Sequence, residues 1–131
     1  KFKRVKIRNF LDNLKIEGFD KKKFDLTIKN LKFANDSINF FVEKNLKDNS
    51  TIRKLNNTAI INKDFFNQPE EIVFRSLTEV IKIIGNKYYP VRGKKIQSVV
   101  SQIKNRQSLK ATLGNCILNK INNTVIVSKE R

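Results

Sequence analysis

Histidine, methionine and tryptophan are absent from this 131-residue chain, and cysteine occurs once. A single thiol excludes an intrachain disulfide framework, and without histidine there is no Cys/His set for a zinc site within one chain. The side chain most often used as a general base near neutral pH is missing as well. Glycine occurs four times, in neither a dinucleotide-binding nor a P-loop arrangement, so no phosphate-cradling loop is present. The twelve carboxylates show no clear catalytic pairing. No catalytic residue, metal or cofactor is therefore assigned to this chain. No apolar run approaches the roughly eighteen residues that span a bilayer, and no signal peptide is visible. A soluble protein of the reducing cytoplasm is expected, with no membrane partner. Methionine is lacking even at residue 1, which leads us to expect a fragment of a longer protein.

Acidic residues are scarce and unevenly placed. The formal net charge is +16. Abundant lysine, asparagine and isoleucine reflect AT-biased coding, which inflates lysine without regard to function. Such bias does not by itself remove acidic residues from one third of a chain. Residues 1–50 hold 13 basic and 7 acidic groups, 51–85 hold 5 and 4, and 86–131 hold 10 and 1. Segregated positive charge gives a focused footprint for a polyanion.

The hydrophobic pattern predicts an α+β, mostly helical fold: about four helices, a short central hairpin and a C-terminal β-hairpin. Residues 1–50 read as a helical hairpin. Phe2, Val5, Phe10, Leu11 and Leu14 mark a first amphipathic helix ending before Gly18. Asp20 is placed to cap a long second helix, whose stripe of Phe24, Ile28, Leu31, Ala34, Ile38, Phe41 and Val42 reads as core. Residues 51–62 read as a short hairpin (Ile52–Leu55 and Thr58–Ile61) turning at Asn56-Asn57. Residues 64–105 hold two helices. Pro69, Glu70 and Glu71 start one, which ends at Gly85, taken as a left-handed stop, and the other spans Gly93–Asn105. Residues 109–129 read as a terminal hairpin, roughly Lys110–Ile121 and Thr124–Lys129, turning at Asn122-Asn123.

The chemistry that remains is cationic. From Gly85 to Lys129 there is no Asp or Glu. Arg92, Lys94 and Lys95 open the fourth helix, where free backbone amides add to anion affinity. Lys104, Arg106 and Lys110 follow its far end. These six are the candidate RNA contacts. Tyr88 and Tyr89 either stack on exposed bases or pack beneath Pro90. Arg75 is either an RNA contact or a structural arginine. Cys116 reads as a structural thiol in a strand, and Glu70-Glu71 as helix-start chemistry.

Several motifs in this stretch follow one another in a telling order. Gly85-Asn86-Lys87-Tyr88-Tyr89-Pro90-Val91-Arg92 leads through an amphipathic run to Ala111-Thr112-Leu113-Gly114-Asn115-Cys116 and a closing Lys129-Glu130. Upstream stand Pro69, Glu70, Glu71, Ile72, Arg75 and Leu77, and at the start Lys6-Ile7-Arg8-Asn9-Phe10-Leu11 and Gly18-Phe19-Asp20. This order resembles the C-terminal, post-catalytic region of bacterial tRNA(Ile)-lysidine synthetase over essentially the whole chain. Asn86 and Asn115 depart from it where a second glycine is usual, Val91 where proline is common, and Lys129 where arginine is usual. The resemblance implies a parent enzyme that uses ATP, with Mg, to join lysine to the wobble cytidine of a minor isoleucine tRNA. It also implies that this part binds the tRNA and contacts an N-terminal catalytic domain. The ATP-binding loop of that family is absent here, so this chain alone is expected to have no such activity. Two other readings explain the charge: a free-standing basic RNA- or DNA-binding module, and a helical protein-docking domain with solvated lysines.

Overall fold

The computed structural model describes residues 2–16, 18, 20–86 and 93–130. It divides into two units, Lys1–Ser37 and Ile38–Arg131.

The first unit holds α1 (Phe2–Ile16) and the beginning of α2 (Lys21–Asn49). Both helices lie where the sequence puts them. Asp20 caps α2, its carboxylate accepting from the amides of Lys22 and Lys23 at 2.9 and 3.4 Å. The expected burial of their faces is corrected. Val5, Ile7 and Phe10 on α1 are exposed, as are Phe24, Ile28, Leu31 and Ala34 on α2. The side chains of Phe2, Leu11 and Leu14 lie outside the described ones. The reason is visible in α2: Leu26, Phe33 and Phe40 fall on the side opposite Phe24, Ile28 and Leu31, and are exposed too. A helix with apolar residues on both sides cannot bury them against one neighbour.

In the second unit the last turns of α2 do reach a core. Val42 and Asn45 are buried there, whereas Phe41 is exposed. Asn45 is a polar pin. Its Nδ2 donates to the Phe65 carbonyl at 3.3 Å and to Ser76 Oγ at 3.1 Å, and its Oδ1 accepts from Asn49 Nδ2 at 2.8 Å.

The chain passes from α2 into β1 (Ser50–Arg53), then β2 (Thr58–Ile61), a 3-10 turn (Lys63–Asn67), α3 (Glu70–Gly85) and α4 (Gly93–Asn105). It closes with β3 (Ser108–Leu113), β4 (Cys116–Ile121) and β5 (Thr124–Lys129). The α+β, mostly helical class holds, but the strands form one antiparallel sheet of five, ordered β1-β2-β5-β4-β3, in place of two hairpins. The join is between β2 and β5, with Ala59 opposite Val127 and Ile61 opposite Val125. All four are buried, so pairing the two strands puts one continuous apolar face under the helices.

Two boundaries are corrected. The run 110–121 is not one strand but two, because Gly114 and Asn115 take φ of 56° and 65° and close a two-residue turn with Leu113 opposite Cys116. The first hairpin pairs two residues earlier than expected: Arg53 faces Thr58 across a loop in which Leu55 is fully exposed.

Pro69 precedes α3 at φ −53°, with Glu70 and Glu71 in its first turn. The helix ends in a left-handed residue, which is Asn86 (φ 50°) and not Gly85. Gly85 is needed for another reason: a Cβ there would overlap the carbonyl oxygen of Gly114 and crowd Cys116 Sγ. The end of α3 thus sits directly on the β3–β4 turn. Ile81 and Ile84 on α3 and Ile96 and Ile103 on α4 are buried in the same core as Leu118 and Val127. Each such side chain stabilises the fold by about 1.5–3 kcal/mol relative to exposure.

Candidate nucleic-acid interface

Ile96, Val99 and Ile103 face the core and fix the orientation of α4. At about 100° per residue, that leaves Lys94, Ser98, Ser101 and Asn105 on the outward side, flanked by Lys95 on one edge and by Gln97 and Lys104 on the other. All of these are exposed. The surface carries cations at both ends and neutral hydrogen-bonding side chains between them. Lys94 and Lys104 are separated by about 15 Å of helix, too far for one phosphate to bridge. Arg106 continues this surface into the connection to β3 and is exposed. Among the described residues none of Lys94, Lys95, Lys104, Arg106 and Lys110 forms an ion pair; the one recorded is Arg75 with Glu71 at 2.8 Å.

Lys110 is not brought together with the others. On β3 it alternates with Leu109 and Ala111, which turn towards the helices, so Lys110 projects from the opposite face of the sheet. An RNA strand lying along α4 meets Lys110 only by passing over the β3 edge. Arg92, Tyr88 and Tyr89 lie outside the described residues, as do Lys87 and Pro90.

Arg75 is held by Glu71 and by the side-chain oxygen of Asn39 at 3.3 Å, contacts that give it a structural role. Cys116 is buried, its Sγ 3.4 Å from the Ile81 carbonyl. Burial, and then the negative charge of Glu130, push its thiol up to about 11, which suppresses the nucleophilic thiolate.

One cation of consequence escaped the sequence reading. Lys120 on β4 donates through Nζ to the carbonyls of Ile103 and Arg106, at 2.5 and 2.6 Å. It satisfies the Ile103 carbonyl in the last turn of α4 and the Arg106 carbonyl just beyond its end, tying the end of the helix to the sheet. The alternation of β4, with Leu118 buried two residues before it, is the signal that Lys120 points to the helix side.

Two clefts adjoin this surface. A groove of about 640 Å³ between α3 and α4 includes Lys104 but also Glu70 and Glu71, whose charge opposes a polyanion. A second, of about 450 Å³, lies at the C-terminal end of α4 and has no carboxylate in its lining. Among the described residues no group of three His, Cys, Asp or Glu could hold a metal ion, and no helix is long and apolar enough to cross a membrane. Comparison with protein-family models, with curated proteins and with solved structures finds no match to this chain.

Proposed function

We propose that the chain is an RNA-binding unit, the tRNA-recognising C-terminal portion of a cytoplasmic tRNA(Ile)-lysidine synthetase. The observation that carries the reading is the exposed side of α4 and its continuation at Arg106: four cations, no carboxylate, and no ion pair among the described residues. Cations already neutralised by neighbours gain little from phosphate; these four are free to displace counterions from an RNA backbone. The motif resemblance supports the specific identity. Its two asparagine departures, Asn86 and Asn115, both adopt the left-handed conformation that asparagine shares with glycine. ATP and Mg belong in this reading to the parent enzyme's catalytic part.

The role is to hold and orient one tRNA so that its wobble cytidine reaches a catalytic centre elsewhere in the parent protein. Fluorescence anisotropy tests it, using the minor isoleucine tRNA, an unrelated tRNA and a DNA duplex of similar length. Tighter binding of the isoleucine tRNA is expected. Equal binding of all three points to a general basic module, and absence of RNA binding removes the proposal.

A second reading concerns the first unit alone. Its exposed Val5, Phe10, Leu31 and Phe33 favour contact with another protein surface, which in this account is the parent's catalytic domain. Their replacement by serine should leave tRNA affinity unchanged and weaken binding to that domain supplied separately.

A further inference from the structure

The two edges of the sheet, β1 and β3, differ in how they are guarded. β1 has four residues and follows α2 without a break. β3 has six, with no proline, glycine or bulge, the devices that usually blunt an edge. Its free groups follow from the register. Glu130 donates to the Asn115 carbonyl at 2.7 Å, so the hydrogen-bonded pairs towards β5 fall at Asn115, Ile117, Asn119 and Ile121. Cys116, Leu118 and Lys120 therefore bond the other way, to Leu113, Ala111 and Leu109 of β3. That leaves the N–H and C=O groups of Ser108, Lys110 and Thr112 pointing away from the sheet. All three residues are exposed, and among the described residues nothing else bonds these groups.

Lys110 is the charged side chain of this edge. Its neighbours on the same face are Ser108, Thr112 and, across the pairing with β4, Asn119, all neutral. It has no ion pair among the described residues. On the opposite face Leu109 and Ala111 pack against the core. Pairing with a second copy about a two-fold axis at Lys110 would use every outward group but set lysine against lysine. Each copy also carries a net charge of +16, which opposes self-association. A carboxylate opposite Lys110 meets neither obstacle.

We propose that β3 accepts an extended segment of a partner protein as a sixth, antiparallel strand. The segment's backbone bonds to Ser108, Lys110 and Thr112, and a Glu or Asp stands opposite Lys110. The residues on either side of that carboxylate are apolar and extend the face formed by Leu109 and Ala111. This strand addition is independent of the RNA-binding reading, since it uses only backbone groups and Lys110.

The probe is the peptide acetyl-Val-Thr-Val-Glu-Val-Thr-Val-amide in two isomers, N-methylated either on three valines or on the glutamate and both threonines. In the proposed pairing the Thr and Glu amides face β3 and the valine amides face away. In an NMR titration of the whole chain, the valine-methylated isomer should shift the amides of Ser108, Lys110 and Thr112 and slow their hydrogen exchange. The other isomer should bind at least about tenfold more weakly. Changing Glu to Lys in the peptide should weaken binding roughly fivefold, and Lys110→Glu should reverse that preference. Thr112→Pro removes one outward donor and no bond to β4, so it should abolish binding with an unchanged unfolding midpoint. Equal binding of the two isomers, or no shift with either, overturns the proposal. So does protection of these amides that grows with concentration in the free chain, which would mean that a second copy fills the edge. A single-stranded oligoribonucleotide that shifts them more strongly than the peptide would make the edge a nucleic-acid contact and likewise overturn it.

Discussion

Replacing Asn45 by aspartate alters size and shape very little, yet it should remove much of the second unit's stability. Asn45 is 3% exposed and uses Nδ2 to reach the Phe65 carbonyl and Ser76 Oγ. In Asn45→Asp a carboxylate oxygen takes that place. The contact with the Phe65 carbonyl turns from attraction to acceptor against acceptor. Ser76 can rotate its hydroxyl to donate, and Asn49 Nδ2 keeps its bond to the other oxygen. An uncompensated buried charge costs about 3–5 kcal/mol, and the two surviving charge-assisted bonds return about 1–2. The expected loss near neutral pH is therefore about 1–4 kcal/mol, against the 5–15 typical of a domain.

The sign of the pH dependence separates this from simple loss of packing. Burial raises the folded pKa of the new carboxyl above its unfolded value near 3.9. The penalty is complete above the folded pKa and is relieved as pH falls through it, since the protonated oxygen can donate to Phe65 again. Asn45→Ala should cost about 2–3 kcal/mol at every pH. Urea denaturation followed at the amides of Leu118 and Val127 reads the second unit directly. A loss below about 1 kcal/mol, or a penalty for Asn45→Asp that does not shrink towards acid, would refute the role given to Asn45.

Gly85→Ala places a methyl group against the Gly114 carbonyl and should destabilise by about 1–3 kcal/mol. Gly93→Ala, whose Cβ would meet only the Phe74 ring, at 3.4 and 3.5 Å, should be close to neutral in a thermal melt of both variants. Lys120→Met keeps the apolar stem but removes the bonds to Ile103 in α4 and to Arg106 just after it, for about 1–2 kcal/mol after allowance for partial exposure. Cys116 should resist a thiol reagent until the chain unfolds. Because its thiol is raised from 9.0 to about 11, stability should hold below pH 9 and decline as pH rises towards 11, a decline absent from Cys116→Ala.

Local signals carried much of this architecture. The ends of α4 follow from Gly93 and the spacing of Ile96, Val99 and Ile103, and α3 from Pro69, two glutamates and a strong apolar face. The pairing of β2 with β5 is different in kind. It joins residues more than sixty positions apart, and nothing within either strand names the partner. The β3–β4 turn was missed, although Gly114-Asn115 between apolar alternating residues is a two-residue hairpin signal. The stripe on α2 shows the opposite failure. Helical periodicity tells which side of a helix can be buried, but not whether a surface is there to cover it. For the site, sequence supplied the cations and their freedom from nearby carboxylates. That Lys110 faces away from α4, and that Lys120 is spent on the end of that helix, depends on how helix and sheet pack.

The central claim is positional: the cations of α4 and Arg106, and not overall lysine content, hold RNA. Two triple variants remove the same charge at different places. One is Lys94→Gln, Lys95→Gln and Arg106→Gln; the other is Lys21→Gln, Lys22→Gln and Lys23→Gln, beside the capping carboxylate of Asp20. Measuring tRNA affinity against salt concentration for both is the direct test, because removing one cation that neutralises a phosphate flattens the slope by about 0.7–0.9. The first variant should bind more weakly, with a slope flatter by roughly 1–3 units, while the second stays near the parent chain. Equal slopes and equally weakened binding in the two variants would contradict the account.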